Sequence, residues 1–569
     1  MFFRKLACVM TASVVVLGIV VLGAAATPAG AVTSTTWSIV ASPNSSTTQR
    51  NNLNGVSCTS ATSCTAVGFS FAGTSNYQTL VERWNGSIWS IVASPDTSAT
   101  KDNLLRSVSC TSPTACTAVG DYDSGSNTQT LVERWNGSTW SIVASPNTSA
   151  TQNDVLQSVS CTSGTACTAV GNYSDATGPH TLAEQWNGAA WSIVASPNTT
   201  TTQNNYLYGV SCTSATACTA VGDYYSGSAF QVLIEQWNGS TWSIVASPNT
   251  STTVDNILYG VSCTSATACT AVGDSSLTSG HIQTLVEQWN GTTWSIVASP
   301  STSTTQDNNF LGVSCRSATA CTAVGYSTTG SSLRQTLTEV WNGATWSIVS
   351  SPNSSTTQHN FLIGASCTSV TACTGVGSYY NSSFTPQTLV ETTLAAPTIT
   401  SAASATFTEG SPGSFTVTAM GNPNPTIFAA TGAPNGVVFN TTTGVLSGTP
   451  TQAGIFSLTI TVSNGIGTGA TQDFTLGVRG LQVSTVALPA ATRGTPYSYQ
   501  LKASGGVTPY TWKKAGALPT GLTLSAAGVL SGTPSTALAA RTFSIGVSVS
   551  DSTPGGRQTV TAVLTLVLH

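Results

Sequence analysis

Seven glutamates are the first candidates for chemistry. Glu82, Glu133, Glu184, Glu235, Glu287, Glu339 and Glu391 recur every 51 or 52 residues, and the first six sit in Leu-x-Glu-x-Trp. A ring of carboxylates could hold cations. Catalysis needs an asymmetric set of groups, and sevenfold equivalents do not supply one. Each Glu also alternates with the Leu and Trp of its strand and so shares their packed face. One internal hydrogen bond per unit, to a backbone amide or a Trp indole, is the expectation.

The cysteines are the second repeated set. Fourteen of the fifteen form seven Cys-x5-Cys pairs: Cys58/Cys64, Cys110/Cys116, Cys161/Cys167, Cys212/Cys218, Cys263/Cys269, Cys315/Cys321 and Cys367/Cys373. Structural zinc uses tighter Cys-x2–4-Cys spacing and needs two such pairs or added His. No His lies inside a pair, so seven local disulfides are expected, each bracketing a five-residue turn and worth about 2 kcal/mol by chain entropy. The remaining thiol, Cys8, lies in the N-terminal segment.

Acid–base and anion chemistry find little support. His180, His281 and His359 have no neighbouring nucleophile or carboxylate motif, and a solvated loop position is expected for each. Arg50, Arg83, Arg106, Arg134, Arg316 and Arg334 are scattered over different structural positions. With 6% charged residues and a net charge of −4 there is no basic field for nucleic acid or anionic lipid.

The unit that carries these residues reads as four short strands. The fourth copy runs Leu207-Tyr-Gly-Val-Ser-Cys212, Cys218-Thr-Ala-Val-Gly222, Val232-Leu-Ile-Glu235-Gln-Trp237 and Trp242-Ser-Ile-Val-Ala-Ser247. Val, Ile, Thr and Trp fill the strands, and Gly, Asn, Ser and Pro bound them. Asn238-Gly239 supplies the positive φ of the last hairpin. Four antiparallel strands every fifty or so residues describe a β-propeller blade. Thr36-Trp37-Ser38-Ile39-Val40 is only a fourth strand, and the seventh unit stops after Glu391, before its own fourth strand. The N-terminal strand should therefore complete blade 7 and close the ring.

The turns between first and second and between third and fourth strands are nearly constant, and they share one face of the disc. The second-to-third loops on the other face vary, and variable loops on a rigid scaffold are where recognition develops. The candidate ligand-binding residues are Asp121, Tyr122, Tyr173, Asp223, Tyr224, Tyr225 and Tyr379, with rings and polar groups suited to sugar or peptide.

After Leu394 the Cys and Trp pattern stops, and Ala395-Ala396-Pro397 reads as a linker. Gly444-Val-Leu-Ser-Gly-Thr-Pro450 and Gly528-Val-Leu-Ser-Gly-Thr-Pro534 then mark two modules of about 85 residues, the size of small β-sandwiches. At the other end, Arg4-Lys5, the apolar run Val14 to Leu22 and Ala29-Gly30-Ala31 read as a cleaved signal peptide. The expected organisation is a signal peptide (1–31), a seven-bladed β-propeller (32–394), and Ig-like domains at 395–480 and 481–569. The fold class is all-β.

The Trp-Asn-Gly-x-x-Trp units resemble the tandem repeats of secreted actinobacterial propellers, in a version carrying a Cys pair. The Gly239-Ser-Thr-Trp242 turn also resembles the Asp-box of sialidase-type propellers, from which it departs at Trp237. The two later segments resemble the putative-Ig, cadherin-like modules of bacterial surface proteins, which implies spacer or adhesion roles. Calcium accompanies some cadherin-like modules. Asp473, Asp551 and Glu409 are nearly the only carboxylates in both, too few for six to eight oxygen ligands, so neither calcium nor any other cofactor is expected.

These readings converge on a secreted or surface-associated, monomeric and non-catalytic protein that binds an extracellular glycan or protein. A glycan-active enzyme, hydrolase or lyase, and a purely structural surface protein are the alternatives. No membrane span is expected in the mature chain.

Overall fold

The computed structural model describes residues 36–569, apart from 72, 74, 75, 201, 423, 424, 465, 467 and 553–556. The expected signal peptide lies outside the described residues. Within them no helix is long and apolar enough to cross a membrane.

Seven four-stranded antiparallel sheets follow the repeat. In blade 4 the strands are Asn205–Ser214, Ala217–Tyr225, Phe230–Trp237 and Trp242–Ile244, from the centre of the disc outwards. At the last hairpin Gly239 has φ 96°, and Asn238 Oδ1 accepts from the amides of Ser240 and Thr241.

The expected disulfides are all present, each between residues that face one another across the first hairpin. Cys58–Cys64, Cys110–Cys116, Cys161–Cys167, Cys212–Cys218, Cys263–Cys269, Cys315–Cys321 and Cys367–Cys373 have Cα–Cα distances of 3.9 to 4.0 Å. The expected five-residue turn is corrected. A register shift after Cys212 lets the strands run on, leaving Ala215 and Thr216 at the tip.

The cysteines therefore lie within the strands, and their second members belong to the core between blades instead of to a surface turn. Cys64, Cys116, Cys167, Cys218, Cys269, Cys321 and Cys373 are all buried. A buried Thr hydroxyl of the preceding blade donates weakly to each of these sulfurs. Thr65 lies 3.8 Å from Cys116, Thr117 3.8 Å from Cys167, Thr219 3.8 Å from Cys269 and Thr270 3.6 Å from Cys321. Each cross-link thus clips its own hairpin and packs against its neighbour, which spacing alone did not indicate.

Blade 7 is built from both ends of the propeller. Its strands Asn360–Ser369, Ala372–Tyr380 and Pro386–Ile399 are joined by Thr36–Val40, with Trp37 opposite Thr393 and Ile39 opposite Glu391. Trp37 is buried against Cys367 and Cys373. The inner strands pack side by side round the ring, that of blade 7 against that of blade 1. A hydrogen bond repeats the closure: each inner Cys amide donates to the Ser hydroxyl of the preceding blade. Cys110 donates to Ser57 at 3.0 Å, and Cys58 to Ser366 at 2.9 Å.

One buried side chain per unit ties neighbouring blades together, and a second ties the connection between them. All seven repeat glutamates are fully buried, and each Oε2 accepts from the Ser that follows the outer strand of the blade before. The expected single hydrogen bond per unit is present, with Ser hydroxyl as the donor in place of a backbone amide or indole. The second tie is a fully buried Asn that opens the inner strand. Asn205 Oδ1 accepts from the Thr199 amide and hydroxyl at 3.0 and 2.8 Å, and its Nδ2 donates to the Gln203 carbonyl at 2.7 Å.

Blade 3 departs from this pattern. Asp154 replaces the Asn, keeps the Thr148 contacts at 3.2 and 2.6 Å, and leaves Oδ2 buried without a partner. Burial raises its pKa above 3.8. Protonation therefore favours the folded state, an advantage complete below pH 3.8 and lost as the pH rises through the folded value. Asp154→Asn should stabilise the propeller by about 1–2 kcal/mol at pH 7. The gain should shrink towards pH 3, as urea unfolding at both pH values will show.

The C-terminal third holds two Ig-like β-sandwiches. One has a core built on Phe407, Leu446, Leu458, Ile460, Phe474 and Leu476, the other on Trp512, Leu530, Ile545, Val547 and Leu566. Leu446 and Leu530 come from the repeated Gly-Val-Leu-Ser-Gly motif and are fully buried. The expected linker at 395–397 instead lies in the C-terminal part of the 14-residue strand Pro386–Ile399, which leaves blade 7 and pairs with Ala419–Asn422. Hydrogen bonds reinforce this passage, since Asn422 donates to the Thr393 carbonyl and Asn464 to that of Ala395.

Candidate functional site

The inner strands shape the site because each one bulges at the same place. In blade 4, Leu207 pairs with Gly222 and Gly209 with Val221, so Tyr208 is left over. Gly222 is required there, since a Cβ would come within 1.9 Å of the Tyr206 carbonyl. The same skip in all units sets Asn54, Arg106, Gln157, Tyr208, Tyr259, Leu311 and Ile363 at equivalent places round the axis. Together with the small residues that follow them, they line a central cavity of about 370 Å³. These bulges lie in the half of each inner strand nearer the variable loops.

The ring is sevenfold in backbone and graded in chemistry. Asn54, Arg106 and Gln157 make a polar arc, Tyr208 and Tyr259 an aromatic one, and Leu311 and Ile363 an aliphatic one. Tyr206 stacks on Tyr208 with centroids 5.9 Å apart, and Tyr208 meets Tyr259 at 5.5 Å. A layer of acids in the second strands supports this ring. Arg106 Nε contacts Asp121 Oδ1 at 2.5 Å. The Tyr208 and Tyr259 hydroxyls neighbour the Asp223 and Asp274 carboxyls, and Asn309 Nδ2 donates to Asp274 at 2.7 Å. Burial pushes both carboxyls up to about 7, against the lowering effect of the tyrosine hydroxyls. Both tyrosines are raised in turn, again chiefly by burial. Asp223 Oδ1 is buried and has no partner.

The structure divides the residues expected from the loops. Asp121 and Asp223 are buried and stand behind the channel ring. Tyr122, Tyr173, Tyr224 and Tyr379 fall on the opposite face of the same strands and pack against the clusters between blades. Tyr225 sits at the loop, edge-on to Phe230 with centroids 5.3 Å apart. Sequence reasoning missed the bulge ring, Tyr206 and Asp274. The available signal was the first free position in Leu-x-x-Val-Ser-Cys, which differs in nearly every unit while its neighbours vary only between Leu and Phe before it and Gly and Ser after it.

His180 is buried, with Nε2 within 2.9 Å of Thr177 Oγ1 and 3.0 Å of Asp175, in place of the expected solvated loop position. His281 Nδ1 lies 3.2 Å from Asp307, and His359 Nδ1 accepts from the Arg334 amide at 3.1 Å. Among the described residues no three His, Cys, Asp or Glu side chains are grouped to hold a metal ion.

Residues 396–479 and 481–567 each match the family described as "Putative Ig domain". No curated protein matches this chain. Among solved structures, a "putative alpha-galactosidase" from Bacteroides fragilis is 20% identical over 17% of this chain and 20% of its own, with a TM-score of 0.15. The EC1-4 segment of Drosophila N-cadherin is 11% identical over 35% of this chain and 57% of its own, with a TM-score of 0.15. The tandem Ig repeats of Dlar are 17% identical over 31% of this chain and 98% of their own, with a TM-score of 0.14. This chain spans about a fifth of the length of the galactosidase, and similarity of this extent carries no inference about activity.

Proposed function

We propose that this protein is an exported, non-catalytic binding protein. Its propeller takes an extracellular glycan or protein at the loop-side mouth of the central channel, and the Ig-like modules act as spacers. The graded bulge ring carries this reading. Seven equivalent positions on a rigid frame hold amide, guanidinium, phenol and alkyl groups, while the residues beside them repeat. Tyrosine faces next to amide donors and acceptors suit a sugar ring or a peptide side chain. The reading invokes no cofactor and a single copy of the chain.

A glycan array of the exported protein tests it first. For a ligand so found, Tyr208→Ala with Tyr259→Ala should raise Kd at least about tenfold, as expected when central aromatic anchors are lost. Tyr225→Ala, out at the loop, should change Kd less than about twofold. The reverse ranking would move the site to the loop tips. One observation favours a second reading: Asp223 and Asp274 are carboxyls held near neutrality beside the channel, as a glycan-cleaving enzyme would need. Product release from a polysaccharide panel, lost in Asp223→Asn and Asp274→Asn, would replace the binding reading with that one.

A further inference from the structure

The disulfide face of the propeller has clefts of its own between neighbouring blades. This chain's own arginines fill two of them. Arg83 reaches from blade 1 to blade 2, where its guanidinium lies 4.5 Å from the Trp135 ring centroid and donates to the Pro113 carbonyl at 2.6 Å. Arg134 does the same from blade 2 to blade 3, 4.5 Å from Trp186 and 2.6 Å from the Gly164 carbonyl. In both clefts the same carbonyl also accepts the indole N–H, at 3.3 Å.

The next three clefts keep the receptor and lose the arginine. Gln185, Gln236 and Gln288 hold the arginine's place in the strand. The carbonyls of Ala215, Ala266 and Ala318 still accept the indoles of Trp237, Trp289 and Trp341, each at 3.2 Å. A glutamine amide is shorter than a guanidinium and uncharged, and Gln185 Nε2 is buried without a partner. Cavities of about 190, 210 and 280 Å³ open beside these glutamines, bounded by the receptor residues Ala215, Ala266 and Ala318 and by the indoles Trp186, Trp237 and Trp289 that follow the glutamines in their strands. The last two blade boundaries differ. Between blades 6 and 7, Val340 replaces the glutamine, and Arg316 stands where Thr162, Thr213 and Thr264 line the open clefts. Between blades 7 and 1, Asn422 of the first sandwich joins the lining.

We propose that the three open clefts are guanidinium sites, which take arginine side chains of a peptide or protein partner. A planar cation over an indole face is attracted by the ring quadrupole, and its N–H groups reach the free lone pair of the carbonyl behind. Lysine, a compact and strongly hydrated point charge, matches this geometry less well. A single guanidinium binds weakly. Three adjacent clefts let a segment with several arginines gain through effective concentration. These sites lie on the face opposite the channel mouth, so either reading can fail without the other.

The test follows tryptophan indole N–H resonances of the exported protein during titration with N-acetyl-arginine amide, hexa-arginine, hexa-lysine and hexa-citrulline. Trp237, Trp289 and Trp341 should shift, and Trp135, which borders none of the three cavities, should not. Hexa-arginine should bind at least about tenfold tighter than the single arginine and than either other hexapeptide. Combining Gln185→Arg, Gln236→Arg and Gln288→Arg should abolish the response, and blades 1 and 2 show that the fold accepts arginine there. Arg83→Gln is an independent check, because it opens a fourth cleft and should make Trp135 respond. Unchanged binding in the triple variant, equal binding of hexa-lysine, or silence of the three indoles at saturating arginine would each overturn the proposal. Hexa-arginine binding no tighter than the single amide would overturn the multi-arginine partner.

Discussion

Raising the pH from 5 to 8.5 should lower the thermal midpoint of the propeller by more than about 10 °C. The cause is the ring of buried glutamates. Burial pushes Glu82, Glu133, Glu184, Glu235, Glu339 and Glu391 up to about 8 and Glu287 to about 7, with the Ser hydroxyl lowering each only in part. Nearby acids add to the rise at two positions, Asp96 at Glu133 and Asp154 at Glu184. A carboxyl with a folded value near 8 and an unfolded value near 4.5 holds its proton through folding but releases it on unfolding. Its stabilisation is complete below pH 4.5, declines across the interval, and is lost once the pH passes the folded value. Each group contributes a slope approaching about 1.4 kcal/mol per pH unit in that window. Glu235→Gln keeps an acceptor for Ser196 and cannot ionise, so it should raise the midpoint at pH 8.5 and leave it nearly unchanged at pH 5. A midpoint that is flat or rises over this range would show that the glutamates stay ionised in the fold.

Removing residues 36–42 should cost more than about 4 kcal/mol and promote self-association through the exposed edge, because Trp truncations alone cost about 3–5 kcal/mol. Trp37 is 5% exposed, and its loss empties the space beside Cys367, Cys373 and Gly375. Ser42 goes too, leaving Glu82 without its donor and Thr388 without a 3.0 Å contact. The five-residue pairing with Val390–Leu394 then becomes an open edge in the one blade that lacks an outer strand. Urea unfolding and light scattering of the truncated protein are the direct measurements. A synthetic peptide of residues 36–44 should restore part of the lost stability in trans. Equal midpoints for both forms would mean that the ring is held without the latch.

The repeat itself made the architecture legible. A period of 51 or 52 residues, four alternating runs per period and complementary incomplete ends leave few arrangements that bury every blade's Trp and pair every strand, and the closed ring is one of them. The disulfides were equally open to reading, because so short a separation closes a hairpin. Their place in the core was not, because Thr65 and Cys116, or Thr270 and Cys321, meet across a blade boundary. The glutamates were legible in kind, as buried structural groups. Their donor was not, because Ser42 and Glu82, or Ser196 and Glu235, lie 40 and 39 residues apart in different blades.

The candidate site shows where local reasoning stops. Period-two alternation places Asp223 and Tyr224 on opposite faces of a strand, but it does not say which face turns to the axis. Tertiary packing decided that, sending the acids behind the channel ring and the tyrosines between blades. The bulge that exposes Tyr208 depends on a strand pairing across the sheet, so its residue looks like one more variable position until that pairing is seen. The passage at 395–397 is similar: small residues and a Pro read as a linker, and pairing with Ala419–Asn422 holds them as strand. Periodicity and local pairing dictate the blades, their cross-links and their closure. Which side chains meet at the axis and in the clefts was decided only by the tertiary structure, because those contacts join residues about fifty positions apart whose relative orientation no local pattern carries.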